Sequence, residues 1–306
     1  GDPCWRDLTC LDHHHETQPM PGPLSWFFHH LPKPLHRIEA AGNHVSQLLV
    51  PFALFAPQPA AAIAGAVVIV TQLWLVLSGN FAWLNWLTII LAVAALDQSA
   101  LSRVIPVPTP PAVGPPPLWF VVVVGVFTAL SVFLSYWPVR NMLGRRQRMN
   151  ASFNSLHLVN TYGAFGSIGR TRYEVVVEGT DETRLTERTV WKEYGFKGKP
   201  GDPRRLPRQW APYHLRLDWL MWFAAISPAY ARDWFRPFVA RLLRGDAPTL
   251  RLLRDNPFPD APPRYVRALL YEYRFSSRHE LRRDRVWWRR TLIGQYLPPV
   301  AAGERA

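Results

Sequence analysis

Long hydrophobic stretches dominate the first half of the chain. Four of them are candidate membrane spans, at residues 38–56, 60–78, 81–96 and 118–137. The stretches at 60–78 and 118–137 contain no charged residue and approach the roughly 20 residues that cross a bilayer core. A helix on the surface of a soluble protein keeps a polar stripe, and neither stretch has one. The pattern therefore predicts an α-helical multi-pass membrane region rather than buried helices of a soluble protein.

The segments beside these spans are rich in proline. Residues 1–37 are polar and aromatic, and their prolines leave room for at most a short helix at 24–30. Residues 106–117 hold seven prolines in twelve positions, which predicts a stiff linker between the third and fourth spans. We therefore expect a pre-membrane segment at 1–37 and a membrane region at 38–137.

The periodicity changes after residue 138, where polar and apolar residues begin to alternate. Alternation predicts strands most clearly at 172–178 and 265–275. The weaker signals are strands at 153–160 and 187–196, helices at 215–226 and 232–244, a helical turn at 250–254 and an ambiguous stretch at 286–296. Residues 138–306 are thus predicted to form a mixed α+β, strand-rich extramembrane domain in which the two clearest strands share one sheet.

Charge divides the chain at the same place. Residues 1–137 carry four basic and six acidic groups, whereas 138–306 carry 31 basic and 16 acidic groups. A basic domain can indicate nucleic acid, an anionic lipid surface or simply an arginine-rich fold. Arginines here alternate with acidic residues, and no nucleic-acid-binding signature is present. We therefore expect the lipid bilayer, and not nucleic acid, as a partner.

The residues offer little for catalysis or metal binding. His13, His14 and His15 precede Glu16, but three consecutive side chains diverge on any regular backbone and do not converge on a metal. No nucleophile elbow is present, and Asp218 is expected to start a helix and pair with an arginine rather than act as an acid or base. We predict no catalytic residue, metal or cofactor.

Two features stay open at the level of sequence. Glu39, Asn43, His44 and Gln47 follow helical spacing in the weakest span, so they form either an intramembrane polar site or the hydrated end of a helix. The only two cysteines, six residues apart, either pair or remain free thiols.

Several motifs, in order along the chain, resemble the lipase maturation factor family. They are Leu8, Thr9, Leu11, His14, Glu16 and Gln18, then Ser78–Phe81, Asn160–Phe165, Val175–Gly179, Lys199–Asp202, Pro212–His214, Arg216–Ala225, Pro262–Ala268 and Trp287–Arg290. The resemblance covers most of the chain, but 106–117 and 282–285 lie outside it.

The resemblance implies a multi-pass membrane protein that assists the folding or assembly of secreted, homodimeric lipases such as lipoprotein lipase. It implies the endoplasmic reticulum membrane in a eukaryote and the cell membrane in a bacterium, which the arginine-rich, lysine-poor composition suggests. It also implies that further spans precede this chain. The alternative is a membrane-embedded enzyme acting on lipid or polypeptide at the bilayer.

A folding factor must contact exposed client surface, and aromatic and arginine side chains contribute most at such contacts. The candidates for client binding are Tyr162, Phe165, Trp191, Trp210, Trp219, Trp222, Trp287 and Trp288. Six of these candidates are tryptophans. Of these six together with Trp234, we expect two or three to be exposed. The residues expected to support the family motifs structurally are Asn160, Gly163, Glu178, Pro200, Gly201, Pro212, Arg216, Asp218 and Arg267.

Two arguments disagree about the side of the membrane on which the basic domain lies. Arg140, Arg145, Arg146 and Arg148 follow the fourth span, and the positive-inside rule places them in the cytoplasm. A factor for secreted lipases must meet its client on the other side, and long domains translocate largely regardless of charge. We expect the domain outside the cytoplasm.

Overall fold

The computed structural model describes residues 2–302 apart from 104, 107, 109–113, 162 and 164. Most of the proline-rich linker, and Tyr162, therefore lie outside the described residues. The chain forms two compact units, one built mainly from Leu101–Ser167 and the other from Pro3–Ala100 with Ile168–Ala306.

The N-terminal segment of the larger unit is more helical than predicted. It forms α1 (Pro3–Arg6), α2 (Leu11–Thr17) and α3 (Ser25–His29). Only α3 was expected. Helix α2 forms as well, because the cluster of prolines begins after its last residue and does not interrupt it. A disulfide between Cys4 and Cys10 settles the question left open for the two cysteines.

The apolar part of the larger unit begins with α4 (Lys33–Leu48) and α5 (Val50–Ala53) and continues with α6 (Ala60–Ser78), α7 (Leu84–Val93) and α8 (Gln98–Leu101). Among the described residues, two helices are long and apolar enough to cross a membrane, namely α6 and Leu118–Leu143. The predicted first span is divided between α4 and α5, and the third is represented by the ten residues of α7. A count of four spans stays a prediction.

The smaller unit holds the second long apolar helix and a short hairpin. The helix consists of α9 (Leu118–Leu134) and α10 (Tyr136–Leu143), and the hairpin pairs β1 (Ala151–Ser152) with β2 (Asn160–Thr161). The strand predicted at 153–160 is wrong except at its last residue. His157 has a φ of 54°, a left-handed conformation that belongs to the turn between the strands.

A four-stranded antiparallel sheet organises the C-terminal part of the larger unit. Its strands are β3 (Arg172–Thr180), β4 (Lys192–Glu193), β5 (Tyr265–Phe275) and β6 (Trp288–Ala301), in the order β4-β3-β5-β6. The predicted sharing of one sheet by β3 and β5 is confirmed, since Val175 lies opposite Leu270. The strand predicted at 187–196 shrinks to β4, and the ambiguous stretch at 286–296 is mostly β6.

Helices connect and flank these strands. They are α11 (Arg216–Ile226), α12 (Phe235–Leu243), α13 (Ala247–Leu250) and α14 (Arg278–Asp284). The helix predicted from 232 begins at Phe235 because a 3-10 turn occupies Pro228–Ala231. α14 was not predicted, although its Ser277–Glu280 capping box is a recognisable start signal.

The sheet packs on both faces. Val175 and Val177 point to one face and form a core with Met221 of α11 and with α12. On the other face, Val176 packs with Tyr273, Phe275, Trp288 and Trp26, the last of which comes from α3. The N-terminal segment is therefore part of the core beneath the sheet.

Candidate functional site

The C-terminal end of α6, a candidate membrane helix, meets the loop before α11 at Asn80. The Asn80 amide nitrogen donates to the carbonyls of Pro21 at 3.2 Å and Arg208 at 2.9 Å. Its carbonyl oxygen accepts from the backbone N–H groups of Trp210 at 2.6 Å and Ala211 at 3.0 Å. Asn80 is 1% exposed, so these bonds replace water that burial removes. One side chain thus joins the membrane helix, the N-terminal segment and the loop before α11.

A second set of bonds holds α2 and α3 to the same helix end. Gln18 Nε2 donates to the carbonyls of Ser78 at 2.9 Å and His15 at 3.0 Å, and to the Ser25 hydroxyl at 3.0 Å. The Ser25 hydroxyl itself donates to the Ser78 carbonyl at 2.6 Å. A side chain at Gly79 would collide with Gln18, which explains why glycine occupies this position. We call the contacts of Gln18, Ser25, Ser78 and Asn80 the junction.

A buried charge cluster lies beside the junction at the start of β3. Arg172 and Glu174 have fully buried side chains, and Arg172 Nη2 lies 2.5 Å from Glu174 Oε1. Lys199, 2% exposed, lies 2.8 Å from Glu174 Oε2. Arg172 also donates to the backbone carbonyls of Glu16, Gln18 and Pro19. The cluster therefore fixes the N-terminal segment to the sheet.

The pKa values of buried groups in the N-terminal segment are displaced from their usual range. Burial, together with the neighbouring His15, lowers the pKa of His14 to about 3, and burial likewise lowers that of His29 to about 3. Burial raises the pKa of Glu16, whose carboxylate accepts from the Phe275 N–H at 3.0 Å. The His14 ring stacks on Phe81 at 5.9 Å between centroids. These side chains form the packing between α2, the junction and the sheet.

The four polar residues of the weakest predicted span do not converge on one site. Glu39 accepts a hydrogen bond from Trp74 Nε1 at 2.8 Å and lies 3.8 Å from His15. Asn43 pairs with Gln47 at 2.9 Å on an exposed face, and His44 faces Trp5. Among the described residues, no group of three or more His, Cys, Asp or Glu side chains is placed to hold a metal.

Asp218 plays a structural role that differs from the predicted one. Its carboxylate accepts from the backbone N–H groups of Gly198 at 2.7 Å and Lys199 at 2.9 Å, and the helix start at Leu215 has no side-chain cap. The expected helix cap and arginine pair are wrong. Burial raises the pKa of Asp218, and those two N–H bonds act in the opposite direction. Asp218 therefore fixes the loop that carries Lys199.

The expectation that two or three of the seven tryptophans are exposed is wrong. Trp288 is 1% exposed and stacks on Phe275 at 4.0 Å, which removes it from any direct client contact. The other six are half-buried. Among these six, Trp191 follows the exposed residue Val190, which is 65% exposed. The Arg267 guanidinium lies 4.1 Å from the centre of the Trp191 ring.

The motif residues take part in local contacts. Arg267 pairs with Glu178 at 2.8 Å, and the Tyr273 hydroxyl donates to the Gly201 carbonyl at 2.8 Å. Three more motif residues make or receive hydrogen bonds: Lys199 Nζ donates to the Pro200 carbonyl, Asn160 Nδ2 donates to the His157 carbonyl, and the Gly163 N–H donates to Asn150 Oδ1. Pro212 follows a cis peptide bond. Arg216 is the first residue of α11 and is exposed. Phe165, the remaining aromatic candidate, has a φ of 63°.

Sequence reasoning missed the residues that build the junction and the charge cluster. Asn80 and Gln18 appear only within motifs, and Arg172 and Glu174 appear only as parts of an alternating strand. The sequence did contain a signal for buried polar contacts. Asn80 follows an apolar helix, and Arg172 and Glu174 lie in a strand with buried valines, so all three need partners when they are buried.

Comparison with known proteins matches both parts of the chain. Residues 1–103 match the lipase maturation factor transmembrane domain, and residues 158–298 match the lipase maturation factor C-terminal domain. Lipase maturation factor 1 of Homo sapiens is 44% identical, over 99% of this chain and 57% of its own length. The Mus musculus protein of that name is 42% identical, over 98% and 56%. Lipase maturation factor 2 of Rattus norvegicus is 28% identical, over 99% and 57%.

The chain spans little more than half the length of these relatives. No solved structure matches it. The matches place a transmembrane domain before a C-terminal domain, and they run through both. The chain therefore belongs to the lipase maturation factor family.

Proposed function

We propose that this protein is a membrane-bound factor that assists the folding or assembly of secreted, homodimeric lipases, without catalysing a reaction. The observation that carries the proposal is the match of both domains to lipase maturation factors. The junction supports it, because Asn80 and Gln18 hold the loop before α11 and the N-terminal segment to the end of α6, and Arg172 holds that segment to the sheet. A folding factor fixed in this way acts at the membrane surface, where secreted polypeptides emerge.

We further propose that the client contacts the sheet around Trp191, next to the exposed Val190. The Arg267 guanidinium lies over the Trp191 ring and pairs with Glu178, which is 5% exposed. On the same sheet Arg290 lies over Tyr271 at 5.0 Å. Tryptophan and arginine side chains are enriched among residues that dominate binding energy. Trp210, Trp219, Trp222, Trp287 and Phe165 remain weaker candidates, and Tyr162 lies outside the described residues.

Replacement of Trp191 tests this proposal. We expect Trp191→Ala to lower the specific activity of a co-expressed homodimeric lipase by roughly 5- to 30-fold, since a hot-spot truncation costs about 1–2 kcal/mol of binding. The measurements are secreted lipase activity per secreted lipase antigen, and the thermal midpoint of the purified full-length factor. The matched control is Leu252→Ala, which removes an apolar side chain that is 51% exposed. Equal lipase activity from both variants would remove Trp191 from the client surface.

We propose that the chain is multi-pass, in the endoplasmic reticulum membrane of a eukaryote or the cell membrane of a bacterium, with the sheet outside the cytoplasm. A Val190→Cys variant tests the side, because Val190 is 65% exposed and the native cysteines are joined to each other. We expect a membrane-impermeant thiol reagent to label it in intact bacterial cells, or in permeabilised eukaryotic cells only after the lumen is opened. Labelling from the cytoplasmic side would make direct contact with a secreted lipase untenable.

A further inference from the structure

Helix α11 has two apolar faces. Met221, Ala224 and Ala225 are buried against the sheet, together with Asp218. The opposite side presents Trp219, Trp222, Phe223 and Ile226 at spacings of three and four residues, which form one stripe. Ile226 is 55% exposed, and the other three are half-buried. A helix on a water-facing surface keeps a polar stripe, and α11 has apolar residues where that stripe belongs.

The stripe is continuous with aromatic residues at both ends of α11. Ring centroids are separated by 5.5 Å between His214 and Trp219, 6.3 Å between Trp219 and Trp222, and 5.5 Å between Phe223 and Tyr230. Tyr230 is 58% exposed, and Tyr213, before the helix, is 66% exposed. The patch therefore combines indole and phenol rings with exposed aliphatic surface. We call Tyr213, Trp219, Trp222, Phe223, Ile226 and Tyr230 the α11 patch.

The α11 patch is joined to the end of a membrane helix. Trp222 Nε1 donates to the Thr17 carbonyl at 3.0 Å, and the next residue, Gln18, bonds to the Ser78 carbonyl at the end of α6. On the other side of the patch, Asn80 accepts from the Ala211 N–H, two residues before Tyr213. α6 has 19 residues, about the thickness of a bilayer core, so its end lies at the level of the lipid headgroups.

We propose that the α11 patch rests on the lipid bilayer and anchors the extramembrane domain in the interfacial layer. Tyrosines such as the exposed Tyr213 and Tyr230 favour this layer because the ring is apolar and its O–H can remain hydrated. Arg216 and Arg232, both exposed beside the patch, are placed for the phosphates of lipid headgroups. Interfacial helices of this kind bury their apolar side about 5–10 Å into the boundary between headgroups and acyl chains.

A bilayer explains the patch better than a client protein does. The rings lie next to residues that bond to the end of α6, whereas Trp191 stacks on Arg267, the partner of Glu178, on the face of β3 opposite Val177 and α11. The position of the patch is also fixed by the junction in the absence of any client. The inference does not depend on the proposed function, since it concerns the membrane contact of this chain alone.

An environment-sensitive fluorophore at Ile226 tests the proposal. The full chain carrying Ile226→Cys, with its native disulfide intact, is labelled with the NBD fluorophore and reconstituted into phosphatidylcholine and phosphatidylglycerol vesicles. We expect a nitroxide on the shallow part of the acyl chain to quench Ile226→Cys at least about twofold more than Val190→Cys, the exposed control on the other side of the sheet. A labelled Tyr230→Cys variant repeats the test at a second exposed position, in case the first variant misfolds.

Two results would overturn the proposal. One is quenching of both patch labels that is no greater than that of the Val190 label. The other is a blue shift at the patch labels that appears only after a lipase is added, which would make the patch a client surface. Quenching by the shallow nitroxide without lipase supports the bilayer contact, whatever the outcome of the lipase secretion assay.

Discussion

The buried Arg172 side chain gives the sharpest test of what holds the N-terminal segment to the sheet. Replacement by methionine keeps much of the side-chain volume and removes the charge. It leaves Glu174 with Lys199 as its one cationic partner in the cluster, and it removes the donor for the carbonyls of Glu16 and Pro19. Removal of one member of a buried ion pair costs about 3–5 kcal/mol, because the remaining charge stays desolvated.

A matched control exists within the same sheet. Arg289 contacts two carboxylates, Glu280 at 2.9 Å and Asp284, but its side chain is 44% exposed. Exposed ion pairs contribute little to stability because water screens them and two flexible side chains must be ordered. Arg289→Met should therefore change stability little, although it removes two ion-pair partners where Arg172→Met removes one.

Thermal unfolding of the purified full-length protein, followed by near-ultraviolet circular dichroism, measures the difference. Since 1 kcal/mol corresponds to about 2–4 °C for a domain of this size, we expect Arg172→Met to lower the midpoint by roughly 8 °C or more. Arg289→Met should lower it by no more than about 3 °C. Equal shifts for the two variants would show that burial does not set the strength of these pairs, and would refute the reasoning.

Two further predictions concern the junction and its pH dependence. Asn80→Ala leaves four buried or partly buried backbone groups without their partner. We therefore expect a loss of about 3 kcal/mol in chemical unfolding, with faster proteolysis of the loop at 208–211. A loss below about 1 kcal/mol would show that the junction is not structural. For His14 the folded-state pKa of about 3 lies below 6.5, the usual value for histidine in an unfolded chain, so the unfolded chain binds more protons between these values. Stability contributed by neutral His14 is therefore complete above pH 6.5 and is lost as the pH falls towards 3, with a slope of up to about 1.4 kcal/mol per unit. Midpoints measured across this range should fall less steeply for His14→Gln than for the unaltered protein, and parallel profiles would contradict the assignment.

The sequence predicts the parts of the fold that depend on local pattern. The strand at 265–275 is found with the predicted bounds because alternation and strand length both act within one segment. The apolar helix at 60–78 is also recovered, since no polar stripe competes with its hydrophobic character. By contrast, β4 covers two residues, because at Gly195 the chain pairs with Asp255 instead of continuing beside β3.

The junction could not be predicted from local sequence patterns, because the residues that bond to each other in it are far apart in the sequence. Asn80 bonds to Ala211, and Arg172 bonds to the Glu16 carbonyl, across separations of 131 and 156 residues. No local spacing encodes such pairs. The exposure of the tryptophans was mispredicted for a related reason: Trp288 is suited to an interface by composition, but the tertiary fold places it against Phe275.

The two sides of the sheet differ in chemistry, and this difference bears on how the domain acts at a membrane. The α11 patch offers rings and aliphatic carbon, which favour the interfacial layer of a bilayer. The opposite side carries guanidinium groups stacked on rings, Arg267 over Trp191 and Arg290 over Tyr271, and each arginine also pairs with a carboxylate. Such pairs remain hydrated at their edges and suit contact with a polypeptide.

With the α11 patch on lipid, the segment at Val190 and Trp191 stays on the other side of the sheet, where Val190 is 65% exposed and a secreted client is within reach. The proposed client contact and the proposed bilayer contact then occupy separate surfaces, and each can be lost without the other. Trp191→Ala should lower lipase maturation while leaving the quenching at Ile226 unchanged. Simultaneous loss of both would mean that the two surfaces act through one shared structural change, and would remove the basis for assigning them to different partners.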